Sequence, residues 1–149
     1  MLEIELKTRQ TVEYLVRNLS EFDRNESLEK GFTNAALVFK RHARQNMLTS
    51  MGNKTGNLWS SLTHRLRNMR SGIPAVVGFR RSEGNHAHLL DLGTDKRETK
   101  EQLWKGTRYR GRGPAKYFFT RAREEGEQEA YNALLDGIQR AIDRINNRM

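Results

Sequence analysis

The apolar residues of this chain follow the period of a strand at the start and the period of a helix over two later stretches. Over residues 2–7 apolar and charged residues alternate, which predicts an N-terminal strand or arm. Apolar residues then recur every three or four positions over residues 8–19 and again from Glu26 to about Leu48, which predicts a short helix and a long one. The polar residues 20–25 are expected to break the chain between them. Gly31 weakens the long helix by about 1 kcal/mol relative to alanine, so a kink or break is expected near it.

The middle of the chain contains short segments, two of which the pattern leaves open. Residues 49–57 are rich in Ser, Thr, Asn and Gly and predict a loop. Residues 62–68 fit either the end of a short helix or a strand. Residues 73–79 predict a strand that tolerates a proline near its start. Residues 86–92 are apolar and short enough for a strand or for one or two helical turns.

The last predicted element is a helix that begins at Pro114 and runs to the C-terminus. Its acidic middle, residues 124–129, is expected to be exposed. Gly93, which ends the preceding apolar segment, is expected at a positive backbone angle. Together these elements predict one domain over residues 1–149 of the α+β class, with long helices packed on one mostly antiparallel β-sheet.

The positive charge of the chain is concentrated in its middle. The whole chain has 27 basic and 18 acidic residues, a formal net charge of +9. Residues 54–121 alone hold 15 basic and 5 acidic residues, a surplus of 10. Such a block favours an acidic partner, either a nucleic acid or an acidic protein surface.

The most unusual segment is an extended basic loop over residues 93–113, in which aromatic residues and glycines alternate with cations. Its composition is too polar to form core, and a long loop in a compact domain is either functional or mobile. Exposed aromatic residues are typical of interfaces, which favours partner contact over a merely solvated loop. The candidate contact residues are Arg97, Lys100, Trp104, Lys105, Arg108, Tyr109, Arg110 and Arg112.

The chain lacks the residues and motifs of a catalytic or metal site. It contains no cysteine, which excludes disulfides and thiolate metal ligands and is typical of folding in a reducing, intracellular place. No nucleotide-binding, hydrolase or zinc-protease motif is present, so we expect neither an enzyme nor a cofactor. The start lacks the pattern of a signal peptide, and no apolar run has the roughly 20 residues needed to span a membrane.

His86 and His88 are two residues apart and would share a face on a strand. A metal site would need a third ligand, and the nearest carboxylate, Asp91, has the wrong parity for that face. We therefore expect no metal, and expect the two imidazoles to be half-buried by packing and hydrogen bonding.

Three short motifs resemble those of the tail-completion, or minor tail component, family of lambdoid bacteriophage neck proteins. The first is Thr-Gly-x-Leu-x-x-Ser, the second is His-x-His-Leu-Leu-Asp-Leu-Gly-Thr, and the third is Pro-Ala-Lys-Tyr-Phe-Phe. The family usually has Tyr-Ala, an apolar residue and Glu-x-Gly-Thr in the second motif, so His88 and Asp91 depart from its pattern. The resemblance covers about residues 26–145. Its motif residues are Gly56, Leu58, His88, Asp91, Gly93, Thr94, Pro114, Phe118 and Phe119.

The resemblance implies a structural virion protein that is made in the host cytoplasm and has no catalytic residue. Members of this family form rings between the capsid connector and the tail tube, so it implies a six-fold or twelve-fold ring around the DNA channel. The implied partners are other copies of the chain, the connector or adaptor, the tail terminator or tail tube, and DNA in the channel, with no membrane. Ring contacts between identical subunits join different patches, and the basic middle and the acidic stretch with Glu124 and Glu125 are candidates for such a pair.

Two alternatives stay open at this point. One is another neck role, as tail terminator or connector adaptor. The other is a small basic nucleic-acid-binding protein, which the charge and the basic loop favour. Against it, no predicted helix has a dense one-sided basic face, and no known nucleic-acid-binding module is present.

Overall fold

The computed structural model describes residues 2–4, 9–51, 56–67, 75–94 and 113–148. Its elements in chain order are β1 (Leu2–Ile4), α1 (Arg9–Val16), α2 (Glu21–Met51), α3 (Gly56–Ser61), β2 (Leu62–Leu66), β3 (Ala75–Phe79), α4 (Arg81–Gly84), α5 (Ala87–Leu92) and α6 (Phe118–Asn146). The predicted α+β class is confirmed. The end of the predicted N-terminal strand and residues 95–112 of the basic loop lie outside the described residues.

The described strands form one antiparallel sheet in the order β1-β3-β2. In the centre of the sheet, Val77 of β3 lies opposite Leu2 of β1 and His64 of β2. The first four residues of β3 are buried, as expected of a central strand. The sequence left two segments open between strand and helix: Leu62–Leu66 forms the strand β2, whereas Ala87–Leu92 forms the helix α5.

The long helix α2 begins five residues before the predicted start at Glu26, so the expectation that residues 20–25 break the helix is wrong. The Ser20 hydroxyl accepts a hydrogen bond from the Asp23 backbone N–H (3.2 Å) and donates one to the Asp23 carboxylate (2.8 Å). Serine before a helix with a carboxylate three residues later satisfies free N–H groups at the helix start. The polar residues therefore cap α2 rather than interrupt it, and the break lies between Val16 and Glu21.

The main core lies between α2, the antiparallel helix α6 and one face of the sheet. Helix α2 contributes Phe32, Ala35, Ala36, Phe39 and Ala43, and α6 contributes Ala122, Ala130, Leu134 and Ile138. Leu62, Ala75 and Val77 complete this core from the sheet. Many of the contacting residues are small, which lets the two helices approach closely.

The predicted break near Gly31 is wrong, because α2 is a continuous helix through this position. Gly31 instead packs directly on α6. A Cβ atom at Gly31 would lie 2.7 Å from Ile138 Cγ1 and 2.8 Å from the Leu134 carbonyl oxygen. A Cβ atom at Gly137 would lie 2.9 Å from the Gly31 Cα. The two glycines therefore mark a backbone-to-backbone contact that no larger residue allows.

A second, smaller core joins the ends of several elements. It consists of Met47, Leu58, Ala87 and Phe118, with Phe79 and Phe119 packed against both cores. The ring of Phe79 meets Phe118 edge-on at 6.0 Å and Phe119 at 5.4 Å. None of the described helices contains an apolar stretch long enough to cross a bilayer.

Substituting Gly137→Ala is expected to lower the free energy of unfolding by about 1–3 kcal/mol, because the added methyl group meets the α2 backbone. This loss should outweigh the gain of about 1 kcal/mol that alanine has over glycine in a helix. Denaturant unfolding measures the stability of Gly137→Ala and of a control variant against that of the natural chain. The control is Gly56→Ala, since no atom lies within 4 Å of a Cβ built there. Equal stability of Gly137→Ala and the natural chain would contradict the close contact.

Candidate functional site

The three motifs that carry the family resemblance meet in the second core. Leu58 of the first motif and Phe118 of the third are fully buried there, beside Ala87 of the second. Ser61 closes α3 by donating its hydroxyl to the Leu58 carbonyl (2.8 Å). Gly56, in contrast, is exposed at the start of α3. The structure therefore brings together segments that lie about 60 residues apart in sequence.

Asp91 at the end of α5 caps the N-terminus of α6. Its carboxylate accepts hydrogen bonds from the backbone N–H of Phe119 (2.8 Å) and of Thr120 (3.3 Å), and from the Thr120 hydroxyl (2.7 Å). The side chain is only 7% exposed, so these bonds replace those with water. A carboxylate at this end also complements the helix dipole. The sequence singled out Asp91 as a motif residue, but the capping partner is 28 residues away and no local pattern identifies it.

The chain between Pro114 and α6 is fixed by backbone hydrogen bonds to α5. The Lys116 N–H donates to the Leu90 carbonyl (2.9 Å) and the Tyr117 N–H to the Asp91 carbonyl (2.9 Å). Tyr117 adopts a left-handed conformation with φ 50°, which turns the chain into the helix. The prediction that Pro114 starts the helix is therefore wrong by four residues, because Lys116 and Tyr117 bond to α5 instead.

The two ends of the basic loop are held together by a short clamp. Thr94 N–H donates to the Gly113 carbonyl (2.8 Å), and Gly113 N–H donates to the Thr94 hydroxyl (3.0 Å). Gly93 has φ +80°, which confirms the predicted positive angle, and a Cβ atom there would lie 2.8 Å from the Ala115 nitrogen. The clamp therefore holds Thr94 next to Gly113, the two described residues that flank residues 95–112.

An exposed apolar rim lies beside this clamp. Leu92 is 64% exposed and Tyr117 is 50% exposed, and both line a depression of about 540 Å³ with Gly93, Thr94 and Gly113. Leu89, on the same short helix, is also exposed. Contiguous exposed apolar side chains are typical of interaction surfaces. The loop base is therefore the candidate functional site.

The candidate contact residues of the loop itself lie outside the described residues. These are Arg97, Lys100, Trp104, Lys105, Arg108, Tyr109, Arg110 and Arg112. Their role in partner contact stays a prediction.

His86 and His88 are both exposed, so the expectation of half-buried imidazoles is wrong. His88 lies in α5 and His86 directly precedes it, and residues two apart on a helix do not share a face. The shared face that a metal pair would need is therefore missing. Within the described part of the chain, no three His, Asp or Glu side chains are grouped for metal binding.

The acidic side chains of residues 124–129 in α6 are exposed, as predicted, but two of them contact residues of α2. Glu129 forms ion pairs with Arg41 and His42 of α2. Glu125 accepts a hydrogen bond from the Asn46 amide (3.1 Å). Glu124 is thus the clearer candidate for contact with a partner.

Sequence reasoning missed a basic cluster formed by Lys40, Arg44 and His64. The Lys40 ammonium lies 3.3 Å from His64 Nδ1, and the Arg44 guanidinium lies over the Trp59 ring at 5.5 Å. Burial, and then the neighbouring Arg44, lower the pKa of Lys40. Burial, and then Lys40, lower the pKa of His64. One signal was present in the sequence: residues 30–82 contain no aspartate or glutamate.

Comparisons of the chain with protein-family models, with characterised proteins and with solved structures find no match.

Replacing Asp91 by alanine is expected to lower the free energy of unfolding by about 1–3 kcal/mol, since buried N–H groups of α6 lose their acceptor. Asp91→Asn should lose less, because its amide oxygen still accepts from the Phe119 N–H. Asp136→Ala, at an exposed position of α6, serves as control. Thermal and denaturant unfolding measure the three variants. A loss no larger for Asp91→Ala than for Asp136→Ala would contradict the capping role.

The ion pairs of Glu129 should make part of the stability depend on pH. Hydrogen bonds from Arg41 and then His42 lower the pKa of Glu129 below its ordinary value of 4.5. Because the folded pKa is the lower one, the stabilisation is present above about pH 4.5 and is lost as the pH falls through the folded pKa. The stability difference between the natural chain and Glu129→Gln should therefore shrink on acidification. Glu124→Gln is the control, and a difference constant from pH 6 to 3 would contradict the pairing.

Proposed function

We propose that this protein is a structural component of the head–tail neck of a tailed bacteriophage, a tail-completion ring protein that joins the capsid connector to the tail tube. The single observation that carries the proposal is the clamp at the loop base. Thr94, a residue on which the resemblance depends, pairs with Gly113 at the other end of the predicted loop, and Asp91, where the family usually has Glu, caps α6 three residues earlier in the chain.

The arrangement suits a protein whose loop must reach a partner from a defined position. The N-terminus of α6 is anchored by Asp91 and by the buried ring of Phe118. The clamp joins Thr94 to Gly113, and Thr94 lies three residues after Asp91 in the chain. A loop with fixed ends can change its shape on a partner while its attachment stays in place.

The exposed surface around the clamp has the composition of an assembly interface. Leu89, Leu92 and Tyr117 are exposed next to a loop rich in arginine and aromatic residues. Aromatic residues and arginine are enriched in protein interfaces, whereas lysine and glutamate are depleted in their centres. On this proposal the loop and the apolar rim bind a neighbouring copy, the connector or adaptor, or the tail terminator.

The ring would close through unlike patches on adjacent subunits. The exposed face of α6 near Glu124 supplies negative charge, and the basic middle of the chain supplies positive charge. The partners on this proposal are further copies in a six-fold or twelve-fold ring, the connector or adaptor, the tail terminator or tail tube, and DNA in the channel. The place of action is the virion neck. A position as tail terminator or connector adaptor is the nearest alternative.

A second candidate is a nucleic-acid-binding protein that acts outside the virion. The observation that favours it is the surplus of 10 basic residues in the middle of the chain. It predicts a monomer that retains nucleic acid until the salt concentration is raised.

We expect the nuclease-treated protein, or its mixture with purified connector or tail tubes, to yield a discrete closed ring. Light scattering at physiological salt gives the mass, and electron microscopy gives the symmetry. Glu124→Lys should weaken ring formation, whereas Asp136→Lys, with the same charge change on the same helix, should not. A chain that stays monomeric with all neck components and binds free DNA with a steep salt dependence would contradict the neck role.

A further inference from the structure

The cations of α2 divide between two faces of the helix. Arg41 and His42 face α6, where Glu129 neutralises them. Lys40 and Arg44 lie on the side that faces β2 and α3, where they approach His64 and Trp59. Because residues 30–82 contain no carboxylate, these elements offer no acidic partner from within that stretch.

The three basic side chains of this second face converge on one place. The Lys40 ammonium donates to His64 Nδ1 at 3.3 Å, which requires that nitrogen to be unprotonated. Arg44 is held from the other side by its position over the Trp59 ring. Its Nε is buried and has no hydrogen-bond partner within the part of the chain that the structure describes.

Within the described part of the chain, no carboxylate pairs with this partly desolvated cluster of basic residues. None of the ion pairs among the described residues involves Lys40, Arg44 or His64. Burial disfavours the charged forms of Lys40 and His64, and each is also opposed by a neighbouring cation. A buried donor without an acceptor is rare in folded proteins and points to a missing partner. A bound oxyanion would supply both the acceptor oxygens and the negative charge.

We propose that Lys40, Arg44 and His64 form a phosphate-binding site between α2, β2 and α3, whose ligand is a phosphate group of a nucleic-acid backbone or free phosphate. A phosphate matches the cluster better than a single carboxylate does, because ammonium, guanidinium and imidazole donors approach from two elements and phosphate has more oxygens to accept them. The site does not depend on the neck role, since a ring subunit and a monomer could both have it.

The first experiment follows the His64 imidazole by NMR in inorganic phosphate, in acetate and in chloride of equal ionic strength. Phosphate should raise the pKa of His64, because a nearby anion favours the protonated ring. The rise should disappear in the Lys40→Gln/Arg44→Gln double variant. It should persist in the Lys30→Gln/Arg24→Gln double variant, which removes the same charges from exposed positions of the same helix.

The second experiment measures the affinity of the natural chain, the two double variants and the single Lys40→Gln variant for a short DNA duplex over a range of salt concentrations. The cluster variant should bind about tenfold more weakly and with a shallower salt dependence. The DNA affinity of the Lys30→Gln/Arg24→Gln control should fall much less. If the Lys40→Gln/Arg44→Gln double variant does not fold, the single Lys40→Gln variant replaces it in both experiments.

The outcomes separate the two phosphate sources. A phosphate-dependent pKa rise with weakened DNA binding supports the site with a backbone phosphate as ligand, and the pKa rise with unchanged DNA binding supports it with free phosphate. No phosphate-dependent rise at His64 would overturn the proposal. An equal rise in acetate would overturn the assignment to phosphate. The ring measurements are independent of all four outcomes, so failure here is distinguishable from failure of the neck role.

Discussion

The close contact between α2 and α6 is the constraint on which the rest of the structure depends. At Gly31 and Gly137 the backbones of the two helices touch, and the alanines farther along the pair continue the contact. Glycine destabilises a helix interior by about 1 kcal/mol, so these positions are stable only because close packing offsets the loss. The sheet packs against the same pair through Leu62 and Val77. The N-terminus of α6 is thereby held in a fixed position relative to β3 and α5.

The loop base follows from that position. Phe79 at the end of β3 packs against both Phe118 and Phe119, so the start of α6 is attached to the sheet as well as to α2. Asp91 then satisfies the first N–H groups of α6 from a separate element. Gly93 and Thr94 follow directly, which puts the loop ends within two residues of the cap. The loop base therefore lies beside the packed and capped start of α6.

The sequence predicted the class and most elements because helix and strand periods are local. It did not predict what depends on distant partners. Gly31 has an unfavourable helix propensity, and only its contact with Gly137 explains the continuous helix. Helix α6 starts at Phe118 rather than at Pro114 because Lys116 and Tyr117 form backbone hydrogen bonds with α5. No local sequence pattern indicates these bonds. Gly93, in contrast, was predictable, since its positive angle is a local property. The basic cluster needed α2, α3 and β2 to be placed together.

The basic residues of α2 have different surroundings on the two faces of the helix. Arg41 and His42 are exposed or near the surface and share Glu129, so they resemble ordinary surface ion pairs of small energetic effect. Lys40 and Arg44 have no such partner among the described residues, and burial lowers the pKa of Lys40. Positive charge kept only for solubility is more stable on the exposed face, where water solvates it fully. Its position against His64 and Trp59 is the observation on which the proposed phosphate site rests.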